Sequence, residues 1–265
     1  MNKKFLIFLF IFLFIGLFTH RALAGRELED YLYQYEKYSE VYKNFSTSRD
    51  KFLKYKVLNI RQEATQVLSQ FLLQRNQVLR TYFLLLKYRL RTDPGVITLQ
   101  AKDELVSQLD KRIIWLEEQD EEIKKLVTPD FEDLFVISDR IEDKNEELLQ
   151  LGYKSLSEMI LAKIRSLQQE SVAAASLLQD EISSKKTATQ AAQLDLWLKE
   201  INVKNYLAQK EIEAAEINLW NLNSTSDESS MVTYFTNLKI DAEDAKIFLM
   251  QANSYQKEIY EQVSK

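Results

Sequence analysis

Apolar residues recur through most of the chain at alternating steps of three and four positions, which is the spacing of one face of an α-helix. The first such run is rich in tyrosine and consists of Leu28, Tyr31, Tyr35, Tyr38, Tyr42 and Phe45. The pattern continues to the turn signal Asp93-Pro94-Gly95 and predicts one long helix over 26–91. Successive steps of four between Phe45 and Val57 predict only a local unwinding of that helix.

Glycine and proline, the residues that most often end helices, are scarce and set the next boundaries. Beyond Gly95 the chain holds only Pro129 and Gly152. A proline suits the first turn of a helix, and a glycine suits the position just after a helix ends. These signals predict a second helix over 98–126 and a third over 129–151.

The segment over 156–222 has no strong break and carries the most regular heptad pattern of the chain. A polar stretch at Ser183–Thr187 divides it into predicted helices over 156–182 and 187–222, with one bent helix as the alternative. The heptad positions are Leu194, Leu198, Ile201, Asn205, Ala208, Ile212, Ala215, Leu219 and Leu222. A lone asparagine at such a position fixes register, either within one chain or, as the alternative, between two copies.

A last helix is predicted over 228–263, after the polar residues 223–227. The six predicted helices leave no segment for a β-sheet. Because their connections are short, consecutive helices are expected to pack antiparallel. The sequence therefore predicts an all-α fold, an elongated antiparallel helical bundle that is coiled-coil-like and forms a single domain over 25–265.

Residues 1–24 have the features of a secretory signal peptide. Lys3 and Lys4 precede an apolar run over 5–18, and Ala22-Leu23-Ala24 supplies the small residues that a signal peptidase reads. An uncleaved membrane anchor is the alternative, which the short run disfavours because a membrane-spanning helix needs ~20 apolar residues. The predicted location is the periplasm, the cell surface or the medium, and the absence of cysteine indicates a bacterium. Contact with a membrane is expected only transiently, through the signal peptide, unless that segment is uncleaved.

Charge and missing residue types exclude several classes of function. Cleavage after Ala24 would leave 32 basic and 40 acidic residues, a balance that repels nucleic acid. The one histidine, His20, precedes that cleavage point, and there is no cysteine. Catalysis by Ser-His or Cys-His pairs, common zinc sites and haem ligation by histidine are thereby excluded. We predict no catalytic residue, no cofactor and no metal ion.

Two clusters of acidic residues are the remaining candidates for chemistry. They are Glu117, Glu118, Asp120, Glu121 and Glu122, and Asp139, Glu142, Asp143, Glu146 and Glu147. Two carboxyl groups in a cleft could cleave a glycan of the cell wall. Their alternation with lysine and arginine at helical spacing favours solvated helix faces instead.

Tyrosines of the first helix are the candidate partner-binding residues: Tyr31, Tyr35, Tyr38 and Tyr42. They share one helix face, and tyrosine is common in protein interfaces. Packing in the core is the alternative, which the helical period favours. The dense apolar run Val78–Leu90 is interpreted as the thickest part of the core, with insertion into lipid as its alternative.

These observations predict a non-enzymatic helical scaffold or interaction protein of the cell envelope. It is expected to act by helix–helix packing with a protein partner or with a second copy of itself. Two alternatives stay open, a carboxylate-dependent enzyme acting on cell-wall glycans and a membrane-active helical bundle.

Overall fold

A computed structural model describes residues 25–92, 98–126, 131–185 and 188–263. Its elements are the helices α1 (Gly25–Tyr55), α2 (Leu58–Thr92), α3 (Leu99–Lys125), α4 (Phe131–Asp143), α5 (Asn145–Lys185), α6 (Ala188–Ser224) and α7 (Glu228–Val263). The all-α prediction is confirmed, since no strand occurs in these ranges. The predicted signal peptide and the predicted turns at Asp93-Pro94-Gly95 and Thr128-Pro129 lie outside the described residues.

Two helices begin at polar side chains that cap their free backbone N–H groups. The Asp227 carboxylate accepts a hydrogen bond of 2.7 Å from the backbone N–H of Ser230, in the first turn of α7. The Thr98 hydroxyl accepts one of 3.3 Å from Ala101 at the start of α3. These caps lie where the sequence predicts helix starts.

The single helix predicted over 26–91 is interrupted at Lys56. That residue has a φ of 44°, in the left-handed region, and it separates α1 from α2. The backbone N–H of Lys56 still donates the hydrogen bond expected of a helix, to the carbonyl of Phe52 at 3.0 Å. The prediction of mere local unwinding was therefore wrong, because the chain reverses direction here.

Gly152 does not end a helix, contrary to the sequence prediction. The break falls earlier, at Lys144 between α4 and α5, and Gly152 lies inside α5. A Cβ atom at Gly152 would lie 3.4 Å from Cε1 of Tyr82, an ordinary van der Waals distance, so α5 passes close to α2 at this residue. Tertiary packing has overridden the local signal.

Substitution of Gly152 tests this close approach. We expect Gly152→Ala to raise the free energy of unfolding by up to about 1 kcal/mol, because alanine favours the helix and its Cβ just fits against Tyr82. Gly152→Leu should lower it by about 1–3 kcal/mol, because the larger side chain meets the phenol ring. Urea unfolding of both variants measures the difference, and equal effects of the two would contradict the packing.

The chain forms two compact units rather than the one domain predicted. Among the described residues, unit 1 comprises 25–92, 102–126 and 131–152, and unit 2 comprises 98–101, 153–185 and 188–263. Within unit 1, α2 packs against both α1 and α4. The core of this unit contains most of Val78–Leu90, as the sequence predicts, including Phe83 and Leu86.

In unit 2 the helices α6 and α7 pack along their length and are joined by the part of α5 after Gly152. The heptad positions of α6 face this core, and α5 and α6 are separate helices, as predicted. Asn205 accepts a hydrogen bond of 2.7 Å from the Ser171 hydroxyl, and Gln256 donates to the Ser171 carbonyl at 2.7 Å. This polar layer links all three helices, so Asn205 fixes register within one chain.

No helix in the described part of the chain is long and apolar enough to cross a membrane.

Candidate partner-binding surfaces

The tyrosine stripe of α1 is divided between core and surface. Tyr31 and Tyr38 are buried against α2, with ring centroids 5.7 Å from Tyr82 and 5.8 Å from Phe71. Burial raises the pKa of both buried phenols well above the ordinary value of 10.0, because the phenolate loses its hydration. These two tyrosines hold the α1–α2 pair together.

The other tyrosines of the stripe lie nearer to solvent. Tyr35 is half-buried and Tyr42 is exposed. A shallow depression on α1 lies beside Tyr35 and is lined by Glu29, Leu32, Tyr33, Tyr35, Glu36 and Ser39. Among the predicted residues, Tyr35 and Tyr42 thus keep surface available for a partner, whereas Tyr31 and Tyr38 do not.

Five of the ten acidic residues in the two clusters, including Glu122 and Glu147, take part in ion pairs within the described ranges. Glu122 pairs with Arg140 at 2.6 Å, and Glu147 pairs with Lys144 at 2.7 Å and also with Arg112. Across the described ranges, no group of three or more ligating side chains is placed to hold a metal ion. The pairing favours the interpretation of these acids as solvated surface.

Asp120 is the exception, because it is buried between α2 and α3. Its carboxylate accepts a hydrogen bond of 2.8 Å from the Asn76 amide, and Arg80 lies 3.5 Å away. Burial raises the pKa of Asp120 above its ordinary value of 3.8, although Asn76 and Arg80 oppose that rise. A single carboxylate held by an amide and an arginine is a structural contact rather than an acid–base pair.

The raised pKa of Asp120 predicts an unusual dependence of stability on pH. The native carboxyl keeps its proton to higher pH than the unfolded one does. Asp120 therefore lowers the free energy of unfolding as pH rises from 3.8 through its native pKa. Carbon-detected NMR titration should give a midpoint above 3.8, and a higher one in Asn76→Ala, which lacks the amide that favours the charged form. A midpoint at or below 3.8 would contradict this.

Exposed apolar residues recur at heptad spacing along the outer surface of α6, with the ion pair Lys210–Glu213 between Tyr206 and Ile217, and we call this set the outer stripe. It consists of Leu196, Val203, Tyr206, Ile217 and Trp220, which are between 49% and 68% exposed. Each lies two residues from a core position, for example Val203 from Ile201 and Trp220 from Leu222. Two residues correspond to about 200° around a helix, so the outer stripe faces away from the core of unit 2.

Comparison with known proteins identifies no related protein. No family model matches the chain, and no curated protein or solved structure is significantly similar to it. The function is therefore argued from the surfaces themselves.

The outer surface of α7 carries a shorter row of exposed apolar residues, similar to the outer stripe of α6. Ile240, Ile247 and Met250 are exposed and again lie two residues from the core positions Leu238, Ala245 and Ala252. The sequence held the signal for both patterns, namely apolar residues at heptad spacing in a register shifted by two. Sequence reasoning missed them because the stronger core register accounts for the helix by itself.

Proposed function

We propose that this chain is an exported, non-enzymatic helical protein of the cell envelope that acts by packing against a helix of a protein partner. The observation that carries the proposal is the outer stripe of α6. Five large apolar side chains lie on one helix face between Leu196 and Trp220, over about 36 Å, with the ion pair Lys210–Glu213 among them. Such a row is the surface that a partner helix covers when helices pack in parallel or antiparallel pairs.

Two further features support a partner rather than a purely internal role. The core of unit 2 forms within the chain, because Asn205 bonds Ser171 and eight of the nine predicted heptad positions of α6 are buried. The exposed stripe therefore has no role in folding unit 2. It also contains Trp220 and Tyr206, the residue types that contribute most to binding energy in protein interfaces.

Export and an elongated, coiled-coil-like shape belong to the same proposal. Export is supported by the basic residues, apolar run and Ala-x-Ala sequence within 1–24. The elongated, coiled-coil-like shape is supported by the heptad spacing and by the scarcity of glycine and proline in the sequence. The partner is another envelope protein, and a second copy of this chain bound through the same stripe is the alternative.

Sedimentation velocity of the fluorescently labelled, exported chain tests the proposal. We expect a high frictional ratio in buffer and faster sedimentation in an extract of the host envelope. Faster sedimentation at high protein concentration in buffer would identify a second copy as the partner. A compact species that sediments equally under all conditions would contradict both the shape and the interaction.

A further inference from the structure

The turn between α1 and α2 forms an apolar tip at one end of a helical hairpin. Contacts between the helices run antiparallel, from the Tyr31–Tyr82 ring pair to the Lys51–Glu63 ion pair. The chain reverses at Lys56, so residues 52–58 form the end of the hairpin. We call these residues the hairpin tip.

Large apolar side chains of the hairpin tip lie in water. Leu53, Tyr55, Val57 and Leu58 are between 49% and 72% exposed, within a stretch of six residues. Four such side chains on one turn form a concentrated apolar patch, and patches of this kind usually mark a binding surface.

The apolar patch continues onto α4 through a series of ring contacts. The ring of Phe52 lies 5.1 Å from that of Phe131, which lies 4.7 Å from Phe135. Phe135 and its neighbour Val136 are both exposed. The hairpin tip is thus part of a wider apolar surface on unit 1.

Basic residues outnumber acids along the segment that forms the hairpin tip, although Arg49 and Lys51 pair with Asp50 and Glu63 and the whole chain has a net charge of −5. Residues 43–61 contain one acid, Asp50, and six basic residues, which are Lys43, Arg49, Lys51, Lys54, Lys56 and Arg61. Within the described ranges, neither Lys54 nor Lys56 pairs with a carboxylate, and Lys54 lies 5.1 Å from the ring centroid of Tyr55. The two lysines inside the apolar patch are therefore available to bind an external anion.

We infer that the hairpin tip docks onto an anionic lipid surface. Exposed leucine and valine enter the acyl boundary, tyrosine occupies the interface, and lysines extend to the lipid phosphates. The apolar side chains of the tip match the hydrophobic boundary of an anionic bilayer, and its unpaired lysines match the negative charge of the phosphates. The inference goes beyond the proposed function, because it concerns unit 1 and leaves the outer stripe of α6 free for a protein.

A fluorescent probe at the tip tests the inference directly. Because the chain has no cysteine, Val57→Cys gives one labelling site for an environment-sensitive fluorophore on the full exported chain. We expect its emission to shift to shorter wavelength with vesicles of phosphatidylcholine and phosphatidylglycerol, and to shift little with phosphatidylcholine alone. The shift should weaken in about 1 M salt, where the Debye length is about 3 Å.

The matched control carries the same fluorophore at Leu177→Cys, an exposed apolar position on α5 in unit 2. Its emission should not change with either vesicle. An unchanged Val57 probe, or equal shifts at both positions, would overturn the inference. A Val57 probe that responds to an acidic protein but not to vesicles would likewise overturn it and would assign the tip to a protein partner.

Variants without a label separate the apolar and electrostatic contributions. Lys54→Gln with Lys56→Gln should weaken partitioning onto phosphatidylglycerol vesicles by about fivefold for each lysine. Leu53→Ser with Leu58→Ser should weaken it by about tenfold or more. Vesicle co-sedimentation that is unchanged in both double variants would show that another part of the chain binds lipid, against the inference.

Discussion

Phe83→Ala is expected to lower the free energy of unfolding by about 3–5 kcal/mol. The ring is completely buried in the core of unit 1, and its centroid lies 5.8 Å from that of Tyr82. Truncation removes the transfer free energy of the ring and leaves a cavity that the helices can close only in part. Urea unfolding followed by circular dichroism measures the loss, with the slope m checked for constancy.

The neighbouring residue supplies the control for this substitution. Leu84 lies on the same helix but is 41% exposed, so Leu84→Ala should cost less than about 1 kcal/mol. Equal effects of the two variants would contradict the interpretation of Val78–Leu90 as core. They would revive the alternative in which this segment leaves the fold and enters lipid.

Ile217→Ser combined with Trp220→Ser is expected to weaken partner binding by at least ~30-fold, or about 2 kcal/mol. Both side chains project from the outer stripe, and tryptophan is a frequent centre of binding energy. The free energy of unfolding should change by less than about 1 kcal/mol, because both positions face solvent. Titration of the labelled chain with envelope extract measures binding, and urea unfolding measures stability.

A matched variant elsewhere in unit 2 distinguishes the stripe from general hydrophobicity. Leu177 is as exposed as any residue of the stripe but lies on α5, so Leu177→Ser should leave partner binding unchanged. Loss of binding in both variants would indicate non-specific apolar adhesion. Retained binding in the double variant would show that the partner uses another surface.

Much of the fold was predictable because helix periodicity is a local property. Core positions of α6 such as Ile201, Asn205 and Ile212 are buried as their heptad spacing indicates. The division into two units was not predictable in this way. Periodicity reports which face of a helix is covered, but it does not report which distant helix covers it.

Two boundaries were missed for opposite reasons. At Lys56 the chain turns without a glycine or proline. A lysine occupies the left-handed backbone region there, a conformation that usually requires glycine. At Gly152 the usual stop signal is present, but the helix α5 continues through it and packs against Tyr82. Both cases show tertiary packing overriding a local preference.

Candidate surfaces were predicted only in part. Tyr31 and Tyr38 share the period of Tyr35 and Tyr42, and only the position of α2 shows which pair is buried. The hairpin tip was hidden within a pattern that resembled local unwinding of one helix. Only the turn at Lys56 shows that the apolar residues of 52–58 lie at the exposed end of a hairpin.

Site-specific photocrosslinking tests the central claim, that the outer stripe binds a protein partner, most directly. The photoreactive residue p-benzoylphenylalanine replaces Tyr206 or Trp220 in the stripe and, in control chains, the exposed tyrosines Tyr33 and Tyr42 of α1. Irradiation in the producing cells is predicted to link both stripe positions to the same protein, with little product from the α1 positions. Products from Tyr33 or Tyr42 alone, or none from either stripe position, would contradict the account.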